Sequence, residues 1–519
     1  MRKRLGTRLG AGALVALALL AAGCGGGGGS APADTTEFHI GWDAQPATLD
    51  PVMTTATTTR DIMRNVYEPL IVMDDNDEIQ PVLASAYSVS ADRRTVSFTL
   101  REGVRFHDGS TLDSEDAVAS LQRWIAQTTS GRQFMQGTVV TATGPYTLDV
   151  TTPQAMYTTL QLLADPSMIT PIQPVEVLRD VPAEGVTRFV GTGPYQFVEW
   201  VTDQHVHLRR FADYVSPQGP ASGLAGAKAP VYENLYFDFV SDPSTRLAGL
   251  QTGQYDAANA LPFDNFAQLE ADPNVDTVVG LAGSNGLIFN KRRGVMSSPL
   301  MRQAANAALD IEAIQRAAFS SPDFYKLNGA IAADRSSSWY TDAGLGNYNV
   351  HDPARAQQLL AEAGYAGEPV RILTTREYAD HYNSAVVVEA QLNAAGINAQ
   401  LVVTDWATLL KNRTDDTAYE AFITGFTPTK LPTRNLFFSN SWPGWTNDPG
   451  ITTAMNAITY AADAAAATAA MADLQQAFYS YLPIVKFGEN SIMMGLDAQV
   501  DGYRHVVGAG DIFYSVHPR

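Results

Sequence analysis

Residues 370–426, VRILTTREYADHYNSAVVVEAQLNAAGINAQLVVTDWATLLKNRTDDTAYEAFITGF, decide the class of fold. VRILTT (370–375), INAQLVVT (397–404) and YEAFITG (419–425) are apolar and β-branched, which is typical of buried strands. Helical segments lie between them, and Gly396 ends the first of these. Because strands joined by helical crossovers run parallel, this βαβαβ run predicts a parallel sheet in an α/β fold.

A capped helix precedes this run. Asp352 suits the N-cap of a helix, Pro353 its first position and Gly364 the position after its last turn. Farther upstream, TVSFTL (95–100) alternates polar and apolar residues and predicts a strand, and a helix is predicted at about 115–126. Strand and helix patterns alternate along the chain, as an α/β or mixed class requires.

Polar and aromatic residues follow the three strands of the run. Open parallel sheets bind ligands beyond the carboxyl ends of their strands, and these ends carry Arg376, Tyr378, Trp406 and Phe426. One guanidinium and several rings are therefore expected to converge on one sheet edge. The alternatives are a surface ion pair for Arg376 and core packing for each ring.

Charge and length exclude some classes of protein. The 519 residues carry 35 Lys and Arg against 54 Asp and Glu, a net charge of −19, whereas nucleic-acid binding needs clustered basic side chains. A chain of this length is too long for one hydrophobic core and implies two or three domains.

The N-terminal segment predicts export and a lipid anchor. Residues 1–10 carry four basic side chains and residues 11–23 carry no charge, as in a secretory signal peptide. Cys24, the only cysteine, follows small residues and precedes five glycines, Gly25–Gly29. This arrangement resembles a lipobox, in which the thiol is acylated and holds the protein at the outer face of the membrane. The alternative is an ordinary signal peptide with an incidental cysteine.

Enzyme and metal motifs are missing from the sequence. It contains no HExxH, no GxSxG and no phosphate-binding glycine loop. The eight histidines are scattered: His205 and His207 share a strand face, and His381 lies near the predicted cleft without a clear second ligand. No metal, cofactor or catalytic residue is therefore predicted, although a carried metal complex stays an alternative.

Several segments occur in the order found in a known family, the peptide- and nickel-type extracellular solute-binding lipoproteins of ABC importers (family 5). The chain resembles this family over essentially its whole mature length. The long block at 81–123 is among the most specific. The segments are TLDP (48–51), YEPL (67–70), PVLASAYSVSADRRTVSFTLREGVRFHDGSTLDSEDAVASLQR (81–123), GTGPYQF (191–197), RLAGLQTGQYDAA (246–258) and QQLLAEAGY (357–365).

The resemblance implies an α/β fold with two lobes, the clamshell of the periplasmic binding proteins (class II, cluster C), with an extra inserted domain. Ligand closes such lobes by binding both. The chain crossings, and with them the hinge, are expected near residues 286 and 495. The implied domains are 1–23 signal peptide, 24–36 linker, 37–70 with 190–286 and 495–519 lobe I, 71–189 insertion, and 287–494 lobe II.

The resemblance also implies roles at the sheet edge. In dipeptide-binding relatives, an arginine matching Arg376 binds the ligand's carboxylate, and rings matching Tyr378, Trp406 and Phe426 line the pocket. A guanidinium suits this role because it forms two parallel hydrogen bonds with a carboxylate.

The segment GFTPTKLPTRN (425–435) departs from the peptide-binding relatives, which hold the ligand's ammonium with an aspartate there. It contains no acidic residue, and Thr429 stands where the aspartate would be. Because an unpaired buried ammonium is costly, an acidic, N-blocked or otherwise uncharged-amine solute is expected. Lys430 and Arg434 are either partners of that solute or solvated loop charges.

Three tryptophans complete the predicted site. SWPGWTNDPG (441–450) resembles a ligand loop, in which Trp442 and Trp445 could stack on a flat or aliphatic solute. Trp42, at the end of the segment FHIGW, could face them from the other lobe. The alternative for each is packing in the core or under a lid.

These observations predict a monomeric, non-enzymatic substrate-binding lipoprotein of an ABC importer. It would capture a small peptide or peptide-like solute and deliver it to the permease and ATPase subunits. Its membrane contact would be the N-terminal lipid alone. The alternatives are ordinary di- or oligopeptides, a nickel or other metal chelate and, less expected, a hydrolase.

Overall fold

The main element of the molecule is a sheet whose strands come from both ends of the chain. The structure is a computed structural model and describes residues 35–333, 335 and 337–519. Cys24 and the predicted signal peptide lie outside the described residues. The strands are β1 (Glu37–Trp42), β2 (Ile71–Met73), β3 (Ile79–Pro81), β4 (Ala84–Val89), β5 (Thr95–Leu100), β6 (Val139–Gly144), β7 (Thr147–Thr151), β8 (Tyr195–Val201), β9 (His205–Arg210), β10 (Asn234–Phe239), β11 (Ala257–Ala258), β12 (Val275–Phe289), β13 (Tyr325–Lys326), β14 (Val370–Thr374), β15 (Ala399–Val403), β16 (Ala421–Phe426), β17 (Ile484–Asp497), β18 (Val500–Asp501), β19 (Arg504–Val506), β20 (Gly510–Ile512) and β21 (His517–Pro518).

Helices pack beside these strands, as the alternating pattern predicts. They are α1 (Thr57–Met63), α2 (Ser114–Gln127), α3 (Thr129–Phe134), α4 (Thr159–Ala164), α5 (Val175–Leu178), α6 (Pro243–Gln251), α7 (Phe266–Glu270), α8 (Pro299–Ala308), α9 (Ile311–Phe319), α10 (Pro353–Ala363), α11 (Ala379–Ala394), α12 (Trp406–Asn412), α13 (Pro449–Thr459) and α14 (Ala464–Tyr481).

The βαβαβ prediction is confirmed in the described residues. β14 pairs in parallel with β15 on one side and with β16 on the other. The helix α10 begins at Pro353 after Asp352, whose side chain accepts the Arg355 N–H at 2.9 Å, and it ends at Gly364 in a left-handed conformation. β5 spans Thr95–Leu100, as predicted.

The large sheet has 11 strands and runs through both halves of the molecule. Its order is β15-β14-β16-β12-β17-β11-β1-β10-β9-β8, with β13 paired to β17. β16 meets β12 antiparallel, so the sheet is mixed. The parallel group lies at one end and the N-terminal strand β1 near the other, and the two long strands β12 and β17 join them.

The two long strands bend where they pass between the halves. Their pairing is interrupted between Leu281 and Gly283 and again between Asn285 and Gly286. Bulges of this kind bend a strand and increase its twist. They lie beside the first chain crossing expected near residue 286.

A separate four-stranded antiparallel sheet, β4-β5-β7-β6, lies within the predicted insertion 71–189. One apolar cluster is built mainly from residues between 38 and 257 and between 494 and 516. Another lies between residues 287 and 487. The architecture is the two-lobed α/β clamshell that the resemblance implies, and the exact domain boundaries stay a prediction.

In the described part of the chain, no helix combines the length and the apolar character that a bilayer crossing needs.

Candidate functional site

A cavity of about 350 Å³ lies where the long strands bend. Its wall combines residues near β1 and α1 with residues after the carboxyl ends of β14, β15 and β16. Binding pockets for small molecules typically have volumes of about 300–1,000 Å³. The cavity therefore has the size of a site for a small solute, at the sheet edge that the sequence predicts.

Five of the eight predicted ligand-binding residues line this cavity. The rings of Tyr378 and Trp406 meet edge to face, with centres 4.9 Å apart, and those of Phe426 and Trp442 lie 5.6 Å apart. The fifth residue, Trp42, reaches the cavity from the end of β1. Such rings offer a large apolar contact area at a small entropic cost.

The other three predicted ligand residues lie outside the lining. Arg376 is exposed, and its guanidinium stacks 4.2 Å from the Tyr382 ring centre and donates to the Tyr382 hydroxyl at 2.7 Å. The Thr429 hydroxyl donates to the Leu431 carbonyl at 3.0 Å. The structure does not bring them together with the aromatic wall.

Trp445 is buried and lies outside the cavity lining. Its ring stacks on Tyr419 at 6.2 Å and carries the Arg292 guanidinium at 4.5 Å. Its backbone has a positive φ of 50°, and its side chain is not part of the cavity lining, whereas that of Trp442 is. Packing in the core, the alternative to a ligand contact, is the arrangement observed.

The two basic residues of segment 425–435 pair with acids elsewhere. Lys430 forms an ion pair of 2.5 Å with Asp77. Arg434 is buried, donates to the Leu162 carbonyl at 3.0 Å and lies 3.8 Å from Asp165. Neither side chain lines the cavity.

The main feature that the sequence analysis missed is a group of carboxylates in the lining. Asp43 is only 5% exposed and is hydrogen-bonded to Asn259. Asp380 accepts a bond of 2.6 Å from Asn285. The acidic residues of the lining are Asp43, Asp61, Asp264, Glu377, Asp380 and Asp511.

These carboxylates converge around one tyrosine. Burial raises the pKa of Tyr378 well above its usual value, and negative charges on Asp43, Glu377 and Asp380 add to the shift. Burial also raises the pKa of Asp43 and that of Glu377. The negative charges of acids from different parts of the sheet therefore influence the same cavity.

Asp61 joins this group from α1. The Arg60 Nε donates to it at 2.6 Å, yet burial outweighs this charge and raises the pKa of Asp61 to about 6. Its neighbour Asp511 accepts a bond of 2.7 Å from the Tyr503 hydroxyl and lies 2.9 Å from His505 Nδ1. The Arg60 guanidinium also donates to Thr427, at the opposite wall.

Two arginines line the cavity and differ in their bonding. Arg246 donates to the carbonyls of Val240 and Asn259 at 2.6 and 2.9 Å and to two further carbonyls. Arg413 is buried, and no described residue accepts a hydrogen bond from its guanidinium or pairs with its charge. The guanidinium lies 5.2 Å from the centre of the Trp442 ring.

His381 lines the cavity, as its place in the sequence suggests. Burial lowers its pKa, and its Nε2 lies 3.9 Å from Asp380. Among the described residues, no group of three or more His, Cys, Asp or Glu side chains is placed to hold a metal ion.

A bent sheet with an aromatic and acidic cavity between its two halves is the arrangement expected of a two-lobed solute-binding protein. A family model described as bacterial extracellular solute-binding proteins, family 5, matches residues 78–449. The chain belongs to this family, whose members bind solutes outside the cytoplasm for ABC transporters.

Individual relatives agree with this assignment. A probable peptide ABC transporter periplasmic-binding protein, y4tO of Sinorhizobium fredii, is 29% identical over 478 residues, which cover 86% of this chain and 87% of the relative. This relative is named as a transport binding protein. The family is therefore one of binding proteins and not of enzymes.

Solved structures share the fold. A dipeptide-binding protein from Pseudoalteromonas in complex with Met-Leu has a TM-score of 0.81 at 20% identity, covering 93% of this chain and 100% of that one. The binding protein AgaA from Agrobacterium tumefaciens, in complex with agropinic acid, has a TM-score of 0.78 at 24% identity, covering 93% and 99%.

Proposed function

We propose that this protein captures a small peptide-like solute with a protonated amine and delivers it to an ABC permease. The observation that carries this proposal is that Asp43, Glu377 and Asp380 line one cavity together with Tyr378. Asp43 is buried and Glu377 and Asp380 are partly exposed. Carboxylates gathered in one cavity are stabilised by a cation, and a solute's ammonium supplies one. The aromatic residues of the wall would bury the rest of the solute.

This proposal revises the solute expected from the sequence. The missing aspartate in segment 425–435 by itself favours an acidic or N-blocked solute. The cavity has carboxylates from other segments, among them Asp43 and Asp380, which suit an ammonium. The peptide-transport name of the relative y4tO supports the same class of solute.

A pair of libraries tests the proposal. The protein would be isolated without refolding, and its co-purified ligand identified by native mass spectrometry. It would then be offered a mixed dipeptide library and the same library acetylated at the N-terminus. We expect free-amine dipeptides to bind at least about 30-fold more tightly, because acetylation leaves the carboxylates without a partner. Equal or tighter binding of the acetylated library would instead favour an N-blocked or acidic solute.

We further propose that the protein acts as a monomer anchored through acylated Cys24. The support is the sequence alone: a basic segment, an uncharged segment and small residues lead to this cysteine. Replacing Cys24 with serine should move the protein from the membrane fraction to the soluble fraction. Retention of the variant in the membrane would contradict the anchor.

A further inference from the structure

We propose that Arg413 binds a carboxylate of the solute and makes the cavity selective for zwitterions. This inference rests on the proposed function, since it concerns the same cavity and the same class of solute. It assigns the carboxylate contact to a residue just after α12 instead of to Arg376, which lies outside the lining.

The first argument is the unmet bonding capacity of Arg413. The residue is 8% exposed. Its Nε is buried without a hydrogen-bond partner in the described structure. Burial lowers the pKa of Arg413 to about 10, and no acidic side chain of the described residues forms an ion pair with it. A buried guanidinium without a counter-charge is costly, so an anion that enters the cavity would gain by pairing with it.

The second argument is that Arg413 is held in place without using its donors. The Tyr419 hydroxyl donates to the Arg413 carbonyl at 2.9 Å and fixes the backbone there. The Trp442 ring supports the guanidinium at 5.2 Å, and a contact with a ring face leaves the N–H groups free. Planar N–H groups held in this way suit the two parallel bonds that a carboxylate accepts.

The bonding of Arg413 differs from that of Arg246, the other arginine that lines the cavity. Arg246 donates to four backbone carbonyls. Of the two arginines that line the cavity, Arg413 is the one with donors left for a ligand.

The lining as a whole matches a ligand with two opposite charges. Carboxylates such as Asp43 and Asp380 suit the solute's ammonium, and Arg413 suits its carboxylate. A solute with only an amine would leave Arg413 unpaired, and a solute with only a carboxylate would leave the acids unpaired. Each mismatch leaves a desolvated charge, so selectivity comes from both groups.

The experiment compares two ligand libraries on three proteins. A mixed dipeptide library with free carboxylates and the same library as C-terminal amides would be offered to the wild-type protein, Arg413→Met and Arg376→Met. We expect the wild type and Arg376→Met to prefer the free acids by at least about 30-fold. Arg413→Met should lose this preference, mainly through weaker binding of the acids. Its unliganded melting temperature should not fall, because methionine removes an unpaired buried charge.

The outcomes separate this inference from the proposed function. If the wild type binds acids and amides equally, or if Arg413→Met keeps the preference, Arg413 is not the carboxylate partner and the proposed function stands. A lowered melting temperature with equal losses for acids and amides would indicate a structural role. If the wild type binds neither library, the proposed function fails and this inference fails with it.

Discussion

Asp43 and Asn259 exchange two hydrogen bonds at the wall of the cavity. The Asp43 N–H donates to Asn259 Oδ1 at 2.9 Å, and Asn259 Nδ2 donates to Asp43 Oδ1 at 3.0 Å. This pair fixes a carboxylate that is 5% exposed and whose pKa is raised by burial. A carboxylate held in this way is already desolvated and oriented before a ligand arrives, which lowers the cost of binding a cation.

Asp43→Asn should weaken the binding of a solute with a free amine by about 2–5 kcal/mol, because the ammonium loses a buried partner. Titration calorimetry with a dipeptide and with its N-acetyl form measures the effect. The acetylated form serves as the control, since it has no ammonium to lose. Equal losses for both forms would show that Asp43 supports the wall without contacting the amine.

The affinity for an amine should fall in acid because of Asp61. Burial raises the pKa of Asp61 to about 6, with Arg60 and Arg64 opposing the shift and Asp511 adding to it. A cation binds the ionised carboxylate, so affinity should drop about ten-fold between pH 7.0 and 5.0 if one proton is displaced.

The folding stability of the free protein changes the other way. The neutral acid suits the buried site, so the contribution of Asp61 is highest below about pH 4 and falls until about pH 6.

Two variants test this pH dependence. Asp61→Asn should bind the dipeptide with a smaller change between the two pH values, the remainder coming from Asp43 and Glu377, whose pKa values are also raised by burial. Asp116 provides the matched control: burial also raises its pKa to about 6, but it accepts the N–H of Asp113 in the capping box of α2 and does not line the cavity. If Asp116→Asn flattens the pH profile and Asp61→Asn does not, the assignment to Asp61 is wrong.

Local signals in the sequence predicted the elements of the fold well. The bounds of α10 follow from Asp352 and Gly364, because the N-cap side chain and the left-handed glycine act within one turn of the backbone. The parallel order of β14, β15 and β16 follows from the intervening helices. The position of their carboxyl ends then predicted the aromatic wall.

The charged part of the site could not be predicted in this way. Asp43 and Asp380 are far apart in the chain and act on the same tyrosine only because the bent sheet brings its ends together. Trp442 and Trp445 lie three residues apart in one loop, yet Trp442 lines the cavity and the Trp445 ring stacks on Tyr419. The spacing of the two residues does not reveal which ring reaches the cavity.

The two cations of segment 425–435 should differ in their effect on stability. Arg434→Met leaves the buried Asp165 without its counter-charge and should lower the free energy of unfolding by about 3–5 kcal/mol. Lys430→Met breaks an ion pair whose side chains are 26% and 60% exposed, and such pairs contribute at most about 1 kcal/mol. Urea unfolding of the ligand-free variants measures both. A similar loss for the two variants would mean that the buried Asp165 does not depend on the charge of Arg434 for stability.

The bend in β12 should depend on Gly283. Its φ is +150°, and an added Cβ would lie 1.9 Å from the Phe426 carbonyl oxygen in the neighbouring strand. Gly283→Ala must therefore move one strand against the other, and the strain should lower the free energy of unfolding by about 1–3 kcal/mol. Because Gly283 and Phe426 both line the cavity, dipeptide affinity should fall as well.

Gly346→Ala is the control, since nothing lies within 4 Å of its added Cβ, and thermal unfolding with calorimetry compares the two. If Gly283→Ala melts and binds like Gly346→Ala, the strands of the bend tolerate the displacement and the close packing at Gly283 does not shape the site.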